Sequence, residues 1–174
     1  MKVLIVSDIH GGYSNMKKVL DDNPEFDLLL ILGDILYGSS ESSNLVDLLN
    51  NYTSKIISVC GNCDSFTDNS RLNFFDDKLY VTVPIDGRLA FITHGHIYNK
   101  YNMPNLPYDV YIQGHTHISM MEYSDKLYLN PGSITRPRGI GQKSYIFYED
   151  GVFFLKGVDD NSIIKKTTIL NCTP

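Results

Sequence analysis

Runs of positive charge are missing from this chain. Its adjacent basic residues are confined to Lys17-Lys18 and Lys165-Lys166, and the formal net charge is −5. Proteins that grip long nucleic acids through their phosphates carry a basic stripe, so no extended nucleic-acid surface is expected. A small anionic substrate stays compatible, because bound metal ions supply positive charge locally. Long apolar runs are missing too. The stretch after Lys2 holds only Val3 to Val6 before Ser7 and Asp8, too short for a signal-peptide core. No stretch approaches the roughly 20 residues that span a bilayer. Cysteine is scarce: Cys60, Cys63 and Cys172 are too few and too unevenly placed for a disulfide framework. Together these absences predict a cytoplasmic protein without a membrane span. Its 174 residues predict one domain, 1–174, large enough to bury about two thirds of its unfolded surface.

Apolar patterning supplies the elements. Val3-Leu4-Ile5-Val6 reads as a strand buried on both faces, and Leu28 to Leu32 and Lys55 to Val59 repeat the pattern. Between them lie two helical stripes: Met16, Val19 and Leu20, with Ser14 as the expected cap, and Leu45, Leu48, Leu49 and Tyr52, with Ser43 as the expected cap. Strand–helix alternation of this kind implies right-handed parallel crossovers. After about residue 79 the texture changes to short strand candidates at 80–83, 89–93, 110–113, 120–123, 127–130, 144–148, 152–156 and 163–170. Asp86-Gly87 and Asp150-Gly151 are hairpin-type turns. An α/β first half and a β-rich second half around one core follow.

What is present is concentrated. All five histidines fall in short motifs: Asp8-Ile9-His10, His94-Gly95-His96 and Gly114-His115-Thr116-His117. Between them stand Gly33-Asp34 and Gly61-Asn62-Cys63-Asp64, which add a carboxylate and a neutral oxygen ligand. Each motif follows an apolar strand, so the side chains are expected to converge on one rim of a sheet, where α/β proteins bind ligands. In extended backbone Asp8 and His10 would share a face; His115 and His117 could do so too, or a bend could aim them at neighbouring ions. Mixed imidazole, carboxylate and amide donors favour manganese, iron, zinc or similar metals over calcium. Any one histidine alone would be better read as structural; the ordered set would not.

The ordered motifs resemble those of the calcineurin-like metallophosphoesterases: Asp-x-His, Gly-Asp, Gly-Asn-x-Asp, a His-bearing fourth motif and Gly-His-x-His, spanning Asp8 to His117. Gly61-Asn62-Cys63-Asp64, the Pro-containing stretch at 102–107, and Asn130-Pro131-Gly132-Ser133 followed by Arg136-Pro137-Arg138 are similar to the small bacterial YfcE-type phosphodiesterases. The resemblance implies a four-layer α/β/β/α sandwich and two divalent metal ions, manganese first, with nickel, iron or zinc as alternatives. Asp8, His10 and His117 would hold one ion, Asn62, His94 and His115 the other, and Asp34 would bridge them. It implies hydrolysis of a small phosphodiester by a hydroxide activated at the dinuclear centre, and a possible homo-oligomer. His96, Cys63 and Asp64 are the candidates for proton handling or for orienting ligand and substrate. Arg136 and Arg138 are candidates for the substrate phosphate. Many relatives carry histidine where Cys63 stands, and a thiol is a poorer neutral-pH proton donor than imidazole.

Other readings are narrower. A phosphomonoesterase or protein phosphatase would call for more basic pocket residues, and a protein-binding scaffold of this fold would have lost its ligands. Cys60 and Cys63 have the spacing of a redox or zinc pair, but no second pair is present for a structural zinc. Tyr98, Tyr101 and Tyr108 could line a substrate pocket or an oligomer contact.

Overall fold

The computed structural model describes residues 1–36 and 42–168. The first half alternates β1 (Lys2–Val6), α1 (Tyr13–Asp22), β2 (Leu28–Ile31), α2 (Ser42–Asn50) and β3 (Ile56–Ser58), then the short α3 (Phe66–Asn69). The second half is strands: β4 (Tyr80–Ile85), β5 (Arg88–Thr93), β6 (Val110–Ile112), β7 (Met120–Tyr123), β8 (Leu127–Asn130), β9 (Ser144–Glu149), β10 (Val152–Gly157) and β11 (Ile163–Thr168). The expected end of the last strand at residues 169–170 lies outside the described residues.

Two sheets form. In the first, β1, β2 and β3 are parallel, and β9, β10 and β11 return to its other side in the order β11-β10-β9-β1-β2-β3. The second has the order β4-β5-β6-β8-β7, with β5, β6 and β8 parallel. Alternation along each strand explains how the two pack. Val3 and Ile5 face the second sheet and meet Ile92, Val110, Ile112 and Leu129, while Leu4 and Val6 face Met16, Val19 and Leu45 on the helices. β1 is therefore apolar on both faces because it has a layer on each side. The outer face of the second sheet carries no helix among the described residues. Phe91 is covered there by Tyr80, Tyr98 and Tyr108, with ring centroids 5.1, 6.4 and 5.7 Å away. The 94–109 loop thus supplies the fourth layer, and Tyr98 and Tyr108 serve packing, while Tyr101 is exposed.

Both expected helix caps shift. α1 is preceded by Gly12, with no side-chain cap bond, and α2 begins at Ser42, ahead of Ser43. The start of α1 is set by tertiary contact: a Cβ at Gly12 would stand 2.0 Å from Thr135 Cγ2. Asp86-Gly87 and Asp150-Gly151 have φ of 44°, 80°, 49° and 81°, the paired left-handed residues of a two-residue hairpin turn. No helix among the described residues is long and apolar enough to cross a membrane.

Candidate metal centre

The motif residues gather at the carboxyl ends of parallel strands from both sheets. Asp8 and His10 follow β1, Asp34 follows β2, Asn62 follows β3, His94 follows β5, and His115 and His117 follow β6. The rim is shared by two sheets, not one as the strand pattern suggested. Asp8, His94, Asp34, His10 and His117 are all buried.

The backbone at these residues is not extended. Asp8, His10, Asp34, His115 and His117 have φ of 52°, 46°, 53°, 66° and 61°, a left-handed conformation that costs roughly 1–2 kcal/mol at each non-glycine residue. The expected shared face of Asp8 and His10 is thus replaced by a left-handed turn that still aims both inward. Such strain persists only where surrounding contacts over-determine it, and it clusters at functional sites. The contacts are here. The His10 and Gly11 amides donate to the Asp34 and Ile35 carbonyls at 2.9 and 2.7 Å. Ser133 Oγ and Thr135 Oγ1 donate to the Asp8 carbonyl at 2.7 and 2.9 Å. Asn130 Nδ2 donates to the Gly114 carbonyl at 2.9 Å. The turns also pass too close for any side chain: a Cβ at Gly61 would stand 2.1 Å from Asp34 Oδ1, and one at Gly114 1.8 Å from Ser7 Oγ.

Hydrogen bonding on the far side of each ring decides what the histidines offer. His117 Nδ1 lies 2.6 Å from the Arg136 carbonyl and His94 Nδ1 2.6 Å from the Leu32 carbonyl. A carbonyl only accepts, so both Nδ1 atoms carry the proton and both Nε2 atoms, in neutral rings, present lone pairs. Yet His117 Nε2 faces Asp8 Oδ1 at 3.1 Å and His10 Nε2 at 3.4 Å. His94 Nε2 faces Asn62 Oδ1 at 3.1 Å. Lone pairs set against one another at these distances are relieved by a cation between them, or at His117 by a proton on Nε2. Asp8 Oδ2 is already satisfied by Ser7 Oγ and the His115 amide, while buried Oδ1 has no hydrogen bond. One donor atom from each of Asp8, His10, Asp34 and His117 lies within 4.8 Å of the others. His94 and His115 stand on the other side of Asp34, ring centroids 5.1 Å apart. The donor set therefore fits divalent metal ions.

Titration follows the same geometry. Burial works to raise the Asp8 carboxyl, but His117, His94 and Ser7 together hold it below its ordinary value. Asp8 raises His117 against burial. Burial lowers His10, His96 and His115, which favours the neutral form that ligates.

The other candidates separate. Asp64 accepts from the Asp34 and Gly61 amides through Oδ2, and from the Ile35 amide and Asn69 Nδ2 through Oδ1, at 2.7–2.8 Å. Both its oxygens are consumed in tying the second motif to the third, which makes it a positioning residue and takes it out of proton handling. His96 lies tilted against His94 and His115, at 5.3 and 6.2 Å between ring centroids. A cavity of about 380 Å³ is lined by His10, Asp34, Asn62, Cys63, His115 and His117, with Arg136, Pro137 and Arg138 on its rim. Cys63 borders the cavity directly, whereas His96 lies behind it beside His94 and His115. Burial, then Asp34, pushes the Cys63 thiol up to about 11, and burial also raises Cys60. Activated redox cysteines are shifted the opposite way. Sequence reasoning missed Ser7, Asn69, Thr135 and Pro137. Ser7 could have been found beside Asp8, and Asn69 five positions after Asp64; the contact of Thr135 is long-range and leaves no local signal.

Comparison with known proteins agrees with this geometry. Residues 1–150 match the calcineurin-like phosphoesterase superfamily domain. The chain is 32% identical over 181 residues to phosphodiesterase YfcE of Escherichia coli K12, covering 97% of this chain and 98% of that protein. It is 31% identical over 145 residues to phosphodiesterase MJ0936 of Methanocaldococcus jannaschii, covering 76% and 83% of the two chains. The solved structure of the E. coli phosphoesterase YfcE superposes with a TM-score of 0.88 at 31% identity, covering 97% of this chain and 100% of that one.

Proposed function

The chain belongs to the calcineurin-like phosphoesterase superfamily, and on that premise we propose that it is a divalent-metal-dependent phosphodiesterase acting on small phosphodiesters. The observation that carries this reading is the gathering of donor atoms from buried Asp8, His10, Asp34 and His117 within 4.8 Å of one another, with His94 Nε2 and Asn62 Oδ1 3.1 Å apart beside them, two places that suit cations. Asp8, His10 and His117 would hold one ion, and Asn62, His94 and His115 the other. Asp34 stands between them, with Oδ2 3.8 Å from His10 Nε2 and Oδ1 3.6 Å from His94 Nε2. Two divalent ions so held would supply a water-derived nucleophile at neutral pH and neutralise the phosphate oxygens. The protein's own part is to orient the donors: Ser7 turns Asp8, the Leu32 and Arg136 carbonyls set two imidazole tautomers, and Asp64 sets the Asp34 and Asn62 turns. Arg136 and Arg138 contact the substrate phosphate. The mixed donor set suits manganese, nickel, iron or zinc over calcium, and manganese is proposed first. A cytoplasmic location and a homo-oligomer belong to the same proposal, the first supported by the free thiols Cys60 and Cys63.

The test is a panel of aryl phosphodiesters and monoesters assayed with manganese, nickel, iron, zinc and magnesium. Diester turnover is expected to exceed monoester turnover, and a chelator is expected to remove it, with recovery on adding metal back. A chelated protein of undiminished activity would overturn the metal dependence, and a preference for monoesters would favour the phosphatase reading.

Cys63 sharpens the substrate expectation. A thiol is a poorer neutral-pH proton donor than imidazole, so leaving groups are expected to depart with little help from this position. Aryl diesters are expected to be cleaved far faster than alkyl ones, and Cys63→His to narrow that ratio by about tenfold or more. Similar rates on both ester types in the unmodified protein would sink the idea, as would a ratio unmoved by the substitution.

A further inference from the structure

One buried hydroxyl stands between two of the residues that face the same metal position. Ser133, fully buried, donates through Oγ to the Asp8 carbonyl at 2.7 Å and accepts from the Arg136 and Thr135 amides at 2.8 and 3.1 Å. A hydroxyl has one proton and two lone pairs, so all of its bonding capacity is used. On one side it holds Asp8, whose backbone lies at φ 52° and whose buried, unbonded Oδ1 stands 3.1 Å from His117 Nε2. On the other it holds the backbone of Arg136, whose carbonyl takes the His117 Nδ1 proton at 2.6 Å. Thr135 Oγ1 adds a second bond to the Asp8 carbonyl at 2.9 Å.

The other metal position is built differently. His94 leans on the Leu32 carbonyl, and the turn that carries Asn62 is tied to Asp34 and Asp64 through the Cys63 and Gly61 amides. The His115 amide meets the Asp8 carboxylate at Oδ2, and the Gly114 carbonyl beside it is held by Asn130. None of these bonds ends on Ser133 or on the carbonyl it holds. Alanine at 133 would take one bond from the Asp8 carbonyl and leave two amides unbonded in the interior. The left-handed turn at Asp8 would then lose part of what over-determines it, and the Arg136 carbonyl would lose its fixed place against His117. Both changes act on the position that Asp8 and His117 share. Groups that orient metal ligands set metal affinity by about 10- to 100-fold. We propose that Ser133 is a positioning residue for one metal position only, that of Asp8, His10 and His117, and that it sets affinity there independently of the position formed by Asn62, His94 and His115. The inference rests on the two-metal reading above.

The test is manganese binding to the metal-free protein, followed by the paramagnetic resonance signal of the free ion, in two single-position backgrounds. Asn62→Ala leaves the position of Asp8, His10 and His117, and His117→Ala leaves the other. Adding Ser133→Ala is expected to weaken binding at least about tenfold in the first background and less than about threefold in the second. Thr135→Val is expected to weaken the first position in the same selective way, and Thr135→Ser, which keeps the hydroxyl, to stay within about twofold of the parent. The threonine pair decides the matter should Ser133→Ala fail to fold. Equal weakening at both positions overturns the selective role and marks Ser133 as structural only; an unchanged first position overturns it as well. A parent protein that binds no manganese overturns the two-metal reading and this inference with it. Binding of two ions without diester cleavage counts against the phosphodiesterase reading alone, and the affinity ratios still decide the role of Ser133.

Discussion

Asp34→Asn is expected to lower turnover of an aryl phosphodiester by on the order of a thousandfold. The carboxylate stands between His10 and His94, at 3.8 and 3.6 Å from their Nε2 atoms, and Oδ1 also accepts from the Cys63 amide at 2.8 Å. Asparagine is nearly the same size, so the turn is retained while the bridging charge is lost. Whichever way the amide is oriented, its NH₂ group points hydrogens at one of the two proposed metal positions. Elemental analysis after loading and desalting is expected to return fewer than the full complement of metal ions, which separates ligation from a purely catalytic loss. Activity within about tenfold of the parent, with both ions retained, would show that Asp34 does not bridge them.

Asp64→Ala is expected to be the most damaging substitution to the architecture of the site. Its two oxygens accept from three backbone amides, those of Asp34, Ile35 and Gly61, and from the Asn69 side chain. Alanine leaves those donors without an acceptor in a tightly packed turn. Each unsatisfied buried donor costs about 1–3 kcal/mol, and water entering the gap recovers part of the loss. A destabilisation of about 3–5 kcal/mol is expected, which for a chain of this size lowers the melting temperature by on the order of 10 °C. Thermal melts of the metal-free proteins measure it without interference from ligation. A shift of less than about 2 °C would mean that the hydrogen bonds around Asp64 are replaceable by water. Asp34 and Ile35 sit on one turn and Gly61 on another, so loosening Asp64 also displaces Asp34 relative to Asn62, and manganese affinity is expected to fall with stability.

The elements were legible where their signal was local. Met16, Val19 and Leu20 share one helical face, and all three are buried against the first sheet. Asp86-Gly87 and Asp150-Gly151 specify hairpin turns through residues that tolerate positive φ. The caps at Ser14 and Ser43 were not legible, because the start of α1 is set by its fit against Thr135, a residue remote in sequence. The return of β9, β10 and β11 to the first sheet was equally hidden, since their alternation says which face is apolar but not which strand lies beside them.

By itself the sequence determined the chemistry on offer. Imidazole, carboxylate and amide donors follow successive apolar strands, and ligand type belongs to side chains that can be read one at a time. Tertiary structure alone decided which donor faces which. The Ser133 hydroxyl reaches back across 125 positions to the Asp8 carbonyl, and the Arg136 carbonyl fixes the His117 tautomer from 19 positions away. Those contacts hold Asp8, His10, Asp34, His115 and His117 in left-handed turns that none of these residues adopts cheaply alone. Donor identity is local, whereas the strain that aims the donors is stabilised only by segments that meet when the two sheets pack.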